Sequence, residues 1–148
     1  MISIFWVIVA GATPLTEVKG AIPLGIAMGY TAFESFLFSL LGNLLMVPLL
    51  LLFLRPVFII LKKNDWIKNI ITRIELRTLK KSKRYWKYSL FGLFLLVAIP
   101  LPGTGVYTGC LAASLLDIRY KYSFPIVTIG AITSAFFIYG VSAHIFGF

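Results

Sequence analysis

Two stretches of this chain are apolar and uncharged for long enough to cross a lipid bilayer, and nothing else in the sequence restricts the fold as strongly. Ser35 to Leu54 holds Pro48 but no charge, and Tyr122 to Ala143 holds Pro125 near its start and no charge either. Each is 20 residues or slightly more, which at about 1.5 Å per residue spans a hydrocarbon layer of ~30 Å. Hydrocarbon offers no partner to backbone N–H and C=O groups, so such runs are predicted to be helices. The chain is 59% hydrophobic and 13% charged over 148 residues. A soluble domain of that size has too little interior for so much apolar surface, and an integral membrane protein is expected.

Two further apolar runs, about 2–31 and 88–116, are broken. In the first, "TPLTEVKGAIPLG" sets Pro14 and Pro23 around Glu17, Lys19 and Gly20; in the second, "PLPGTG" runs from Pro100 to Gly105. Proline removes a backbone donor and clashes with the preceding turn, and glycine weakens a helix further. The arms before the breaks, 2–13 and 88–99, are 12 residues each, roughly 18 Å of helix or half a bilayer. Each arm is expected to descend to the midplane, unwind and return, where protein or a wet cavity must satisfy the freed backbone.

Charge distribution favours that reading over four full crossings. The net charge is +9, and ten of the fourteen Lys and Arg lie between Lys62 and Lys87. With two re-entrant hairpins and two crossings, this linker and the 117–121 loop (with Arg119 and Lys121) share one side, which the positive-inside rule makes cytoplasmic. Both termini are then extracytoplasmic, in a multi-pass protein of the cell (plasma) membrane. One hairpin plus one crossing is an odd number of passes, so the second half is inverted relative to the first. Pro14 precedes Gly42 by 28 residues and Pro100 precedes Gly130 by 30.

The expected fold class is thus all-α integral membrane, with two inverted repeats, each a re-entrant broken-helix hairpin plus a spanning helix, joined by a basic amphipathic interfacial helix. Residues 1–148 form a single membrane domain: 1–61 the first repeat, 62–87 the basic cytoplasmic linker helix, and 88–148 the second repeat. In the linker, Trp66, Ile67, Ile70, Ile71 and Ile74 recur at helical spacing, and Asn64 is placed to cap its start. Lys80, Lys81, Lys83, Arg84 and Lys87 follow, interleaved with Tyr85, Trp86 and Tyr88. Flanked by apolar segments, this tract is expected to meet membrane lipids with anionic headgroups, and no nucleic acid.

The breaks carry the chemistry. A charge at the centre of a membrane helix costs ~2.5–3.5 kcal/mol even on insertion scales, so Glu17 and Lys19 mark a proton or substrate-charge site, or else an ion pair that pins the hairpin. Burial favours the protonated form of an unpaired carboxylate. In "PLPGTGVYTG", the amides of Gly103, Thr104 and Gly105 lie at a helix start, an arrangement that binds anions, and Thr104, Tyr107 and Thr108 add hydroxyls. Arg55 is expected to snorkel at the end of its helix, His144 to be interfacial and Cys110 to pack. A single Cys and a single His leave no nucleophile–base pair, no Walker motif and no metal-ligand spacing. An enzyme is not expected, nor is any cofactor or metal.

"PLTEVKGAIPLGIAMG" (14–29) and "PLPGTGVYTGCLAA" (100–113) resemble the small multidrug export proteins, which are similar to the broader DedA membrane proteins. The resemblance covers nearly the whole chain. It implies two inverted re-entrant hairpins, each followed by spanning helices, and a homodimer. DedA-type proteins are implicated in moving polyprenyl-phosphate lipid carriers and in proton-dependent drug and pH tolerance. Glu17 matches the family's acidic residue, Pro14, Gly20 and Pro23 its first breaking residues, and Pro100, Pro102, Gly103 and Gly105 its second. DedA proteins place arginines in or just after the second hairpin; here 88–118 contains none, and Arg119 and Lys19 are the nearest cations.

The expected function is a membrane transporter flipping an anionic, polyprenyl-phosphate-type lipid carrier with proton coupling through the hairpins. A proton-coupled small multidrug exporter is the alternative. A non-transporting membrane scaffold or assembly factor is the alternative of another class.

Overall fold

The structure is a computed structural model and describes residues 2–79 and 82–147, with the side chains of 71, 74–79 and 82–86 outside that description. It is all-helical: α1 (Ile2–Ala12), α2 (Glu17–Ala27), α3 (Ala32–Leu61), α4 (Asp65–Leu79), α5 (Ser82–Ala98), α6 (Val106–Leu115) and α7 (Tyr120–Ile145). Helix accounts for 82% of the chain, with no strand among the described residues. The two uninterrupted runs became α3 and α7, both long and apolar enough to span a membrane.

Local chemistry sets the ends. Thr31 and Glu34 form a capping box: the Thr31 hydroxyl accepts from the Glu34 amide at 3.2 Å, and the Glu34 carboxylate accepts from the Thr31 amide at 2.9 Å. At the end of α2, Gly29 takes φ +92 and the Tyr30 amide reaches back to the Gly25 carbonyl at 3.1 Å. The end of α6 repeats this closure, with Asp117 at φ +52 and the Ile118 amide on the Ala113 carbonyl at 2.9 Å. Four-residue connections, 28–31 and 116–119, then lead into the two long helices.

The long helices are polar inward and apolar outward. Ser35, Ser39 and Asn43 follow one another at four-residue spacing on the buried face of α3, while Leu41, Leu45 and Leu49 follow at the same spacing on its exposed face. Only 11% of the most apolar window of α3 is buried, so α3 is no core helix of a soluble protein. Small and polar residues inside with leucines outside is the arrangement that lipid demands.

Glycine permits the closest approaches. A Cβ at Gly42 of α3 would run into the Ile8 carbonyl of α1, and one at Gly130 of α7 would meet Val97 and, at 3.2 Å, the Phe94 carbonyl of α5. Ile8 lies six residues before Pro14, and Phe94 six before Pro100. One apolar cluster gathers Val18, Ile22 and Ile26 of α2 with Phe36 of α3 and Ala135 of α7. The other joins Leu93 and Val97, Val106 and Cys110 of α6, Val47 and Leu51 of α3, and Val127. Both α2 and α6 therefore lie against both long helices.

Two expectations change. Gly20 and Pro23 lie inside α2, and the first break is confined to residues 13–16. Pro23 sits in the second turn of α2, where it forgoes the backbone bond to the Lys19 carbonyl, and the helix continues through it to Ala27. Arg55 does not simply snorkel: its Nη2 donates to the Ile118 carbonyl at 2.6 Å, tying α3 to the loop before α7. Within the 62–87 linker, Asp65–Leu79 and the residues from Ser82 onward are helical, and Lys80 and Lys81 fall outside the described residues.

Asn64 caps α4 as expected, its Oδ1 accepting from the Trp66 amide at 3.4 Å, and Trp66 and Ile70 are exposed. The expected roles of Ile71, Ile74, Lys80, Lys81, Lys83, Arg84, Tyr85 and Trp86 fall outside the described residues.

Candidate functional site

Residues 13–16 and 99–105 are where the backbone leaves helix within the apolar runs, and the first question is where their freed polar groups go. At the first break, the Ala10 carbonyl accepts from the Thr13 amide at 3.3 Å and from the Thr13 hydroxyl at 2.9 Å. The Thr16 hydroxyl also donates to Ala10 and lies 2.5 Å from that of Thr13. At the second break, the Thr104 hydroxyl bonds the carbonyls of Ile99 at 2.8 Å and Leu101 at 2.9 Å, and accepts from the Leu101 amide. Thr108 donates to the Gly103 carbonyl at 2.7 Å. Thr104 and Thr108 were expected to contact substrate, but their hydroxyls hold their own backbone.

The two breaks meet each other. The Tyr107 hydroxyl donates to the Ala12 carbonyl, closing the end of α1 from the opposite hairpin. Glu17 opens α2 at φ +43, a left-handed conformation rare for a residue with a Cβ. That turn takes Glu17 out of helical register, and so lets it approach Lys19, which a regular helix forbids at a spacing of two. Glu17 Oε2 lies 3.8 Å from Lys19 Nζ. Its other carboxylate oxygen accepts from the Tyr107 amide, in the first turn of α6, at 3.3 Å. Lys19 Nζ in turn donates to the backbone carbonyls of Leu101, at 2.6 Å, and Thr104.

Each charge thus satisfies the break of the other hairpin. The carboxylate sits on the positive end of α6, where free amides and the helix dipole favour an anion. The ammonium sits on carbonyls that the Pro100–Gly105 turn released. Gly105 makes this possible: it holds φ +148, and a Cβ there would collide with the Glu17 carboxylate. Gly103, at φ +80, faces open space.

An anion cradle was expected from the amides of Gly103, Thr104 and Gly105. The anion-holding amide observed is that of Tyr107, and the anion is the chain's own. Beside this network lies a cleft of about 200 Å³, walled by Pro14, Leu15, Pro102 and Gly103, with Glu17, Lys19 and Tyr107 at its polar side. Glu17 is 6% exposed, while the Lys19 side chain keeps 23% of its surface open.

Of the residues singled out in the sequence, Glu17, Lys19, Gly103, Thr104, Tyr107, Thr108, Pro14 and Pro102 line this cleft, and Gly105 adjoins it. Gly20 packs on Thr16 from inside α2. Arg119 is not among the lining residues; it is exposed at the start of α7, separated from the cleft by the whole of α6. Thr13, Thr16 and the carbonyls of Ala12 and Leu101 were not anticipated. Threonines on either side of Pro14 were the available sign, since a break in lipid needs local donors. Cys110 is fully buried in the apolar core, its Sγ 4.0 Å from the Val47 carbonyl, and His144 is exposed near the end of α7. Among the described residues, no three His, Cys, Asp or Glu side chains gather as a metal site.

A family model described as "Putative small multi-drug export protein" matches residues 17–137. The match opens on Glu17 and runs through the second break into α7. No curated protein and no solved structure matches the chain.

Proposed function

The chain belongs to the small multi-drug export protein family, and on that premise we propose that it is a membrane transporter whose gate is the Glu17 carboxylate. The observation that carries this reading is the carboxylate's position on the Tyr107 amide at the start of α6, beside Lys19. While charged, Glu17 occupies the one place in the cleft that attracts an anion, and the two hairpins hold together. Protonation removes that charge. The α6 amide and Lys19 then face the cleft without an anion, and an anionic headgroup takes the vacated place. Proton uptake and anion binding are coupled because both respond to the same positive helix end. The cargo of this reading is an anionic lipid carrier of the polyprenyl-phosphate type, its chain remaining in lipid.

The hairpins, in this reading, are re-entrant and belong to two inverted repeats. Matched features support it: the break, the glycine contact six residues upstream of each leading proline, and the closures at Gly29 and Asp117. The 62–87 linker and the 117–121 loop face the cytoplasm, the termini the other side, and the transporter works as a homodimer on anionic lipid. Glu17→Gln in proteoliposomes with labelled polyprenyl phosphate tests the gate. Flipping is expected to lose its response to an imposed pH gradient; an unchanged response removes Glu17 from the mechanism.

One observation favours a second reading, proton-coupled export of cationic small molecules. The carbonyls of Leu101 and Thr104 already hold an ammonium group, that of Lys19.

A further inference from the structure

The group at the second break is a ligand set as well as a turn. Two backbone oxygens, those of Leu101 and Thr104, converge on one nitrogen, and a carboxylate oxygen lies 3.8 Å from it. Unwound carbonyls with a nearby acid are how membrane carriers hold cations at depth. Lys19 supplies the cation from within the chain, on a flexible four-carbon stem that remains partly open to the outside. We infer that the Leu101 and Thr104 carbonyls with Glu17 form a cation-binding site in which Lys19 is the tethered occupant, and that its exchangeable ligand is a primary alkylammonium.

The geometry selects that class. An ammonium head carries three N–H donors and no acceptor; the two carbonyls accept from it, and the Glu17 carboxylate, 3.8 Å away, supplies the counter-charge. A quaternary ammonium has no N–H to give them. The alkyl part of the ligand has a place in the cleft, whose walls include Pro14, Leu15 and Pro102. Glu17 stays on the α6 amide during the exchange, so the incoming cation meets the same counter-charge that Lys19 leaves. This inference deepens the cation-export reading, from which it takes the nature of the cargo; the site itself is defined by the carbonyls.

The experiment vacates the site and supplies the ligand from solution. Lys19→Ala is purified in detergent, and its melting is followed with n-butylammonium, tetramethylammonium or sodium chloride at equal ionic strength. Saturable stabilisation by n-butylammonium alone is expected, about 3–6 °C at ten times the dissociation constant, with wild type unmoved because its own side chain fills the site. No rise in monodisperse Lys19→Ala overturns the inference, as does an equal rise with tetramethylammonium or in wild type. Should Lys19→Ala fail to fold, Lys19→Cys in a Cys110→Ala background takes its place. Reaction with 2-aminoethyl methanethiosulfonate rebuilds a tethered ammonium one atom longer than lysine and is expected to raise melting, whereas methyl methanethiosulfonate is not; equal effects overturn the site. Binding by Lys19→Ala without alkylammonium export from vesicles by wild type leaves the site standing and removes only the export reading.

Discussion

Replacing Gly105 by alanine is expected to be the most damaging single-methyl change in the chain, and its cost can be worked from two parts. The first is backbone: Gly105 sits at φ +148 and ψ −158, a region essentially confined to glycine, and holding an L-residue there costs roughly 1–3 kcal/mol. The second is displacement: the new Cβ occupies the space of the Glu17 carboxylate, which must leave the Tyr107 amide. A hydrogen bond to a charged group contributes about 1.5–3 kcal/mol. Together these give ~2.5–6 kcal/mol, or roughly a 5–24 °C fall in melting temperature for a chain of this size.

Gly103→Ala is the internal control, because φ there is +80 but nothing lies within 4 Å of the added carbon. It carries only the backbone cost, about 1–2 kcal/mol, or ~2–8 °C. A double-mutant cycle separates the terms further. On a Glu17→Ala background the obstruction is gone, and Gly105→Ala is expected to keep only its backbone cost, a coupling of about 1.5–3 kcal/mol. Melting of the four proteins in one detergent suffices. If Gly105→Ala is as mild as Gly103→Ala in the wild-type background, or equally severe with and without Glu17, the carboxylate does not occupy the α6 start and the proposed gate fails with it.

Two other changes address the frame around the site. Arg55→Ala leaves the Ile118 carbonyl without its 2.6 Å charged donor and is expected to destabilise by ~1.5–3 kcal/mol; equal melting of Arg55→Ala and wild type would show that the α3 tie carries no weight. Gly42→Ala drives a methyl group into the Ile8 carbonyl, whereas Gly140→Ala enters open space; overpacking of about 1–3 kcal/mol is expected for the first and at most a few tenths for the second, read as a difference in urea or SDS resistance.

The long helices were legible because a charge-free run of bilayer length has one way to satisfy its backbone. The charge-free runs Ser35–Leu54 and Tyr122–Ala143 lie within Ala32–Leu61 and Tyr120–Ile145. The second break was legible in Pro100–Gly105, where two prolines and two glycines crowd six positions. The first was read too widely. Pro14 and Pro23 look equivalent in a sequence, but α2 runs through Pro23, while the backbone leaves helix only at 13–16 around Pro14.

The pairing of Glu17 with Lys19 was in reach of local reasoning once the break was placed. Their real partners were not. That Glu17 would cap α6, and that Lys19 would rest on Leu101 and Thr104, depends on two segments some 80 to 90 residues apart meeting in space, and no local pattern encodes that distance. Arg119 lies away from the cleft for the same reason: being next after the second break in sequence places it at the far end of α6. Threonine hydroxyls were read as ligand contacts, when a break in an apolar medium has first to supply its own donors.

The cross-bracing of the two breaks bears on how the chain is made. Tyr107 follows Glu17 by 90 residues, so at ~5–20 residues per second on the ribosome the acid leaves the tunnel roughly 5–20 s before the amide that will receive it. Throughout that interval a newborn first half holds its acid and its amine beside each other, without the Tyr107 amide and the Leu101 and Thr104 carbonyls that complete the network. The cross-brace therefore closes only after both halves have been made.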